Sequence, residues 1–289
     1  MKIREILREG KPLLSFEVFP PKTDDTFEKV HAATAAIAAL KPPFMSVTCG
    51  AGGSTGGFTA RIAADIQREH GVPTVAHLTC VNAKSDTVTA YLRELQALGI
   101  ENIFALRGDL PEGATPEAFD FPHAADLVRA IRAHGDFSIG CAAYPEGHPE
   151  SPSQREDIRY LKEKADAGCD FMTTQMFFDN NVLYNFLYKI REAGIFTPVV
   201  AGIMPVTNAA QISRICKLSG TRLPPRFARI VDRYGDNPAA MKQAGIAYAT
   251  EQIVDLFANG VPAVHVYSMN HPDVAAAIQK NLSEIIAKP

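Results

Sequence analysis

The chain has 289 residues, of which 46% are hydrophobic and 21% are charged, and its formal net charge is −3. This composition is typical of a globular protein with a large core and argues against extensive disorder. The sequence contains no long basic run. A nucleic-acid or anionic-membrane surface therefore has no electrostatic support, and small molecules are the expected partners.

The cysteines and the first residues bear on the cellular setting. The 5 cysteines are scattered and never form a C-x-x-C pair, which argues against a disulfide framework and a structural zinc site. Residues 1–8 are charged and open no apolar run, and no stretch approaches the roughly 18 apolar residues of a membrane span. We therefore expect a cytoplasmic protein that does not associate with membranes.

Short apolar runs alternate with segments of helical period through eight cycles, which favours an α/β fold of the (β/α)8 TIM-barrel type. Several runs are almost continuously apolar, as expected of parallel strands buried on both faces. A length of 289 residues suits one such barrel, so we expect a single domain over residues 1–289. The predicted strands are 14–19, 44–48, 74–78, 102–106, 138–143, 171–174, 198–203 and 263–267.

The segments between the strands have helical signatures. An i, i+3, i+4, i+7 apolar stripe runs from Val88 to Leu98, and another runs from Leu183 to Ile190, which predicts helices covering the outside of the barrel. The long segment 205–262 is expected to add two or three helices between strands seven and eight. A doubly wound open sheet remains an alternative, because it requires the same alternation.

Polar residues at the carboxyl ends of the strands are the first candidates for a barrel active site. Glu17 lies within an apolar strand that Pro20 and Pro21 end. Burial would raise the pKa of its carboxyl and suit it to donate a proton near neutral pH. From the residues alone, a structural ion pair with a buried cation is an equally open interpretation of Glu17.

Other polar features carry weaker signals. Arg107, Gly108 and Asp109 form a cation–glycine–carboxylate sequence after strand four, which suits a planar ligand or a simple loop ion pair. The glycine-rich run 50–57 lacks the spacing of known phosphate-binding fingerprints, so we expect it to form a flexible lid or a ligand-approach loop. The histidines show no metal-binding spacing, and no catalytic metal is expected.

Six motifs, in order along the chain, resemble the methylenetetrahydrofolate reductase family. Single motifs of this kind are modest evidence, whereas six at the ends of predicted barrel strands are specific. The motifs are 15–21 (SFEVFPP), 46–51 (SVTCGA), 76–80 (AHLTC), 106–109 (LRGD), 143–149 (AYPEGHP) and 174–179 (TQMFFD).

The resemblance implies a flavin-dependent barrel that reduces 5,10-methylenetetrahydrofolate to 5-methyltetrahydrofolate, with NADH or NADPH as the hydride donor in a ping-pong scheme. The family's general acid corresponds to Glu17, which would protonate the departing N10 as the folate ring opens. Asp109 matches the family's carboxylate beside the pterin and is expected to be a second catalytic residue, which accepts from the amino edge of the ring and tunes the flavin. Gln175 and Gln211 match positions that hold folate, and His271 stands where some members have an arginine near the glutamate tail.

The same matching implies where flavin adenine dinucleotide (FAD) binds. Because the cofactor would lie across the strand ends, the resemblance also accounts for the missing dinucleotide-binding glycines. The matched positions are Thr48, His77, Arg107, Gly108, Asp109, Ala124, Tyr144, His148, Asp157 and Lys164.

Alternative functions remain to be separated. A flavin barrel of the proline dehydrogenase type would need a basic pair for an amino-acid carboxylate. A pterin-binding methyltransferase barrel would bind no flavin. A folate-binding and flavin-binding subunit of a larger redox complex would not turn over with free nicotinamide nucleotide. A homo-oligomer or a redox partner subunit is compatible with each of these.

Overall fold

The computed structural model describes residues 1–21, 23–49 and 57–286. Its strands pair in parallel in chain order, and β1 also pairs with β8, so that Leu13 lies opposite Ala263. This closed barrel confirms the predicted fold and excludes the open sheet. The strands are β1 (Leu13–Val18), β2 (Met45–Val47), β3 (Thr74–Thr79), β4 (Asn102–Leu106), β5 (Ser138–Ala143), β6 (Phe171–Thr174), β7 (Val199–Ile203) and β8 (Ala263–Tyr267).

Helices follow the strands and cover the barrel. Their apolar stripes face the strands, as in α4, where Val88, Leu92 and Leu95 are buried. The helices are α1 (Ile3–Arg8), α2 (Phe27–Ala38), α3 (Gly57–His70), α4 (Ser85–Ala97), α5 (Ala124–His134), α6 (Gln154–Asp166), α7 (Asn180–Glu192), α8 (Ala209–Ser219), α9 (Pro225–Tyr234), α10 (Pro238–Ala258) and α11 (Pro272–Asn281).

The amino-terminal end of the barrel is closed by α1, which the sequence did not predict. Ile3 is fully buried and packs in a cluster with Phe44, Phe104 and Phe171 inside the barrel. The backbone N–H of Ile3 donates to the side-chain oxygen of Asn102 at 2.8 Å. This end is therefore filled by apolar side chains, and the opposite end of the barrel remains for a ligand.

Three helices, α8, α9 and α10, lie between β7 and β8, as predicted. They contribute to a second apolar cluster, in which the rings of Phe178, Phe227 and Tyr248 stack in succession. Helix α10 also contacts β7, α7 and α11. The interpretation of residues 50–57 as a lid falls largely on residues 50–56, which lie outside the described residues. Gly57 begins α3.

Candidate functional site

A cavity of about 530 Å³ opens at the carboxyl ends of the strands. Its floor and walls are the apolar side chains Phe44, Phe104 and Phe171, together with polar residues from successive strands. This is the position where (β/α)8 barrels assemble active sites. The cavity combines a large apolar surface with a few convergent polar groups, which is the usual composition of a site for a flat organic ligand.

Glu17 projects into this cavity from β1. Its side chain keeps 23% of its accessible surface, and that surface faces the cavity. Burial raises the pKa of the Glu17 carboxyl to about 7, and a hydrogen bond from Ser46 lowers it by a smaller amount. Near neutral pH, a substantial fraction of Glu17 is therefore protonated and able to act as an acid.

Two imidazoles flank the Glu17 carboxyl. The Nε2 atoms of His77 and His265 lie 3.6 and 4.0 Å from Glu17 Oε2. Burial lowers the pKa of each histidine to about 3, and for His265 the neighbouring His77 contributes to the lowering. Both rings are neutral at physiological pH, so neither supplies the cation that an ion pair with Glu17 would need.

A chain of hydrogen bonds extends from Glu17 into the barrel. The Ser46 hydroxyl lies 3.3 Å from Glu17 Oε2 and 2.8 Å from His265 Nε2. On the other side of that ring, Ser15 Oγ lies 2.7 Å from His265 Nδ1 and 3.1 Å from the Val264 carbonyl, and its single proton goes to one of these two acceptors according to the tautomer of His265. Because Ser46 carries a single proton, it donates either to ionised Glu17 or to His265, and the proton on Glu17 is coupled to the His265 ring.

Positively charged groups lie on the far side of the barrel from β1. Arg107 follows β4, and its Nε donates to the Gly108 carbonyl at 3.1 Å. Lys164 on α6 reaches back to the Ala142 carbonyl of β5 at 2.6 Å. Gly108 between these elements has a φ of +85°, a conformation that favours glycine. The cavity is thus cationic on the side of β4 and β5 and carries the Glu17 carboxyl on the side of β1.

Tyr144, His148 and Gln175 line the wall between these extremes. The rings of Tyr144 and His148 meet edge to face at 4.6 Å. Burial is the largest cause that raises the pKa of Tyr144 and lowers the pKa of His148. His148 Nδ1 accepts from the backbone N–H of Glu150 at 3.1 Å, which places the proton of the neutral ring on Nε2.

The structure brings most of the sequence-predicted site residues together and leaves three outside the cavity lining. Asp157 lies behind the wall and accepts from Ser151 Oγ at 3.2 Å. Gln211 is exposed on α8, one turn before the cavity-lining Ile215, and His271 is exposed at the start of α11. The predicted residues that line the cavity are Glu17, Thr48, His77, Arg107, Gly108, Asp109, Ala124, Tyr144, His148, Lys164 and Gln175.

Sequence reasoning missed Ser46, His265 and Glu150 as members of the site. For Ser46 and His265, the signal lay in the strand register and in which residues of each strand point into the barrel. Glu17 pairs with Ser46, and Ser15 pairs with His265, so a polar residue at the inward position of each neighbouring strand marks the network. Within the described residues, no cluster of three or more His, Cys, Asp or Glu side chains could hold a metal ion.

The sequence was also compared with known protein families. Residues 2–283 match the family profile described as methylenetetrahydrofolate reductase. The chain belongs to the methylenetetrahydrofolate reductase family. It is 35% identical over 271 residues to the 5,10-methylenetetrahydrofolate reductase of Escherichia coli K12, a match that covers 93% of this chain and 90% of that protein.

Plant members of the methylenetetrahydrofolate reductase family are longer. Methylenetetrahydrofolate reductase (NADH) 1 of Arabidopsis thaliana is 36% identical over 298 aligned positions, which cover 98% of this chain and 50% of the plant protein. The chain therefore spans about half the length of such relatives. None of the helices in the described part of the chain is both long and apolar enough to cross a membrane.

Solved structures share the fold at low sequence identity. A Clostridium thermocellum protein, described as binding two copies of 5-methyl-5,6,7,8-tetrahydrofolic acid, superposes with a TM-score of 0.66 at 13% identity and covers 98% of this chain and 100% of its own. An oxaloacetate acetylhydrolase in complex with 3,3-difluorooxalacetate gives a TM-score of 0.54 at 13% identity and covers 100% of this chain and 88% of its own. These likenesses establish the barrel architecture.

Proposed function

We propose that this chain reduces 5,10-methylenetetrahydrofolate to 5-methyltetrahydrofolate, using FAD and a reduced nicotinamide nucleotide, with Glu17 as the general acid. The observation that carries the proposal is the Glu17 carboxyl, whose pKa burial raises to about 7 at the floor of the cavity. Membership of the reductase family supplies the reaction in which such an acid is required.

The chemistry of the cavity fits a flavin dinucleotide. Apolar side chains and the Tyr144 ring offer contact surface to a flat ring system, while Arg107 and Lys164 offer positive charge to a pyrophosphate. We assign Thr48, His77, Arg107, Gly108, Asp109, Ala124, Tyr144, His148, Asp157 and Lys164 to this cofactor. Held by these residues, FAD would supply hydride transfer between the nicotinamide and the folate.

Glu17 controls the proton that this reduction needs. Its protonated carboxyl donates to N10 of the folate as the bond between N10 and the bridging carbon breaks, which leaves an electrophilic iminium at N5. Once the proton has left, the Ser46 hydroxyl donates to the new carboxylate at Oε2. His77 and His265 stay neutral, so Glu17 is the titrating group at the floor of the cavity.

The folate itself is assigned to the side of the cavity that α8 and β8 border. Asp109 would accept hydrogen bonds from the amino edge of the pterin, and Gln175 would hold the same ring. Gln211 and His271 are exposed near the cavity-lining residues Ile215 and Met269, where the longer part of the substrate would reach them. The folate named for the Clostridium thermocellum neighbour supports this class of ligand for the fold.

The test is an assay of the purified chain for its spectrum and its turnover. A yellow protein that binds FAD and forms 5-methyltetrahydrofolate with NADH or NADPH is the expected result. A colourless protein that cannot be reconstituted with flavin would support a methyltransferase barrel instead. Flavin binding without turnover by either nucleotide would support a subunit of a larger redox complex.

We further propose that residues 1–289 act as one catalytic domain in the cytoplasm.

A further inference from the structure

Arg107, on the cationic wall of the cavity, is already bound to a carboxylate of its own chain. Its two terminal nitrogens, Nη1 and Nη2, donate to the two oxygens of Glu150 at 2.5 and 2.8 Å. The side chain of Arg107 is 20% exposed, whereas that of Glu150 is 54% exposed. The two terminal nitrogens of Arg107 are therefore hydrogen-bonded to a carboxylate that is largely accessible to water.

The loop before α6 presents Glu150 to Arg107. The backbone N–H of Glu150 donates to His148 Nδ1 at 3.1 Å, and the N–H of Ser151 donates to the His148 carbonyl at 2.9 Å. Ser151 Oγ then donates to Asp157 at 3.2 Å. Glu150 thus lies in one network with Arg107, His148 and Asp157, three residues assigned above to the cofactor.

The charges at this wall conflict with an anionic ligand. The bidentate contact with Glu150 neutralises Arg107. Asp157 places a carboxylate near Lys164, where burial raises the pKa of Asp157 and the positive charge of Lys164 counteracts part of that shift. A pyrophosphate brings two further negative charges, which a retained Glu150 carboxylate would repel. Removing or releasing Glu150 would leave the Arg107 fork open to phosphate oxygens, to which it is geometrically matched.

We propose that Glu150 is an intramolecular counter-anion, which binds Arg107 before the cofactor arrives and is displaced by the anionic chain of the dinucleotide. Glu150 therefore competes with FAD and sets its affinity, without touching the reacting atoms. Arg107 keeps its position during the exchange, because its Nε remains bonded to the Gly108 carbonyl. Glu150 is the mobile partner, since more than half of its side chain is already in contact with solvent. This inference rests on the proposed function.

The test is equilibrium binding of FAD to the apoprotein, followed by quenching of flavin fluorescence. Glu150→Gln should lower the Kd for FAD by about two- to fivefold, the range expected for removing a partly exposed competing ion pair. The matched control is Glu156→Gln, which removes the same charge from the first turn of α6, where Glu156 pairs with Arg159 at 2.9 Å. We expect the control to match the wild type.

Two further binding experiments test whether the tighter binding of FAD arises from its phosphates and acts through Arg107. Riboflavin, which carries no phosphate, should bind the wild type and Glu150→Gln equally. In an Arg107→Met background, Glu150→Gln should no longer tighten the binding of FAD, because the competition acts through Arg107. An unchanged Kd for FAD in Glu150→Gln would overturn the inference, and so would a raised one, which would show that Glu150 orients Arg107 for the cofactor. Failure of the wild type to bind FAD would overturn both this inference and the proposed function.

Discussion

His77 Nε2 lies 3.6 Å from Glu17 Oε2, yet the two groups do not form an ion pair. Burial raises the pKa of Glu17 to about 7 and lowers the pKa of His77 to about 3. Between these values both groups are neutral, and above pH 7 only Glu17 is charged. The desolvation that opposes charge on both groups keeps a proton on the carboxyl instead of moving it to the imidazole.

The first prediction concerns pH. The rate at which methylenetetrahydrofolate reoxidises the reduced flavin should be highest below pH 7 and should fall by about tenfold per pH unit well above it, because protonated Glu17 is the active form. Flavin reduction by the nicotinamide nucleotide should lack this dependence. Single-turnover rates between pH 5.5 and 9 provide the measurement. A flat folate-dependent profile would remove Glu17 from the role of acid.

The second prediction concerns Ser46. Its hydrogen bond lowers the pKa of Glu17, so Ser46→Ala should move the midpoint of the folate-dependent pH profile to a higher pH than in the wild type. Ser138→Ala is the control, because Ser138 is a buried strand serine that accepts from the N–H of Arg4 at the other end of the barrel. A midpoint that moves downward in Ser46→Ala would contradict the arrangement described above.

The third prediction concerns stability. Since the pKa of Glu17 is raised on folding, the folded protein binds this proton more tightly than the unfolded chain, and stability falls as pH rises from about 4.5 to 7. Glu17→Gln has no ionisable group at this position, so this decrease in stability with rising pH should be absent from the variant. The variant should match the wild type at pH 4 and be more stable by at most about 3 kcal/mol at pH 8. Thermal melts across this range test it, and a destabilised variant at pH 8 would refute it.

The fourth prediction concerns Gly202 on β7. A Cβ atom at this position would overlap the carbonyl oxygen of Thr174 and the hydroxyl of Tyr267, which donates to that carbonyl. Gly202→Ala should therefore cost about 1–3 kcal/mol of stability and displace Tyr267 into the cavity. Gly57→Ala is the control, because no atom of the described residues lies within 4 Å of its Cβ position. Denaturant unfolding measures the loss of stability, and the KM for folate measures the displacement of Tyr267. A Gly202→Ala variant as stable as the wild type would contradict this packing.

The sequence predicted the strands well because buried parallel strands are almost continuously apolar. The segments 102–106, 138–143, 171–174 and 263–267 match the observed strands in full. The prediction was less exact for β2, which spans only Met45–Val47, although Phe44 and Thr48 still line the cavity. Local alternation could not distinguish a closed barrel from an open sheet, because closure depends on the pairing of β1 with β8.

The site was predictable where one residue type in a strand-end motif carries the chemistry, as with Glu17 and Arg107. The hydrogen-bonded neighbours were not. His265 is separated from Ser15 by 250 positions and is brought to it only by strand register. Glu150 directly follows the quoted motif 143–149, and its contact with Arg107 depends on loop geometry that no periodicity encodes.

The most direct test of the account is the pair of half-reactions of Glu17→Gln, followed by anaerobic stopped-flow absorbance of the flavin. We expect NADH or NADPH to bleach the flavin of the variant at close to the wild-type rate. Reoxidation by methylenetetrahydrofolate should slow by about 10²- to 10⁴-fold, the usual contribution of a general acid. Equal impairment of the two half-reactions, or unimpaired reoxidation, would contradict the assignment of Glu17 as the proton donor.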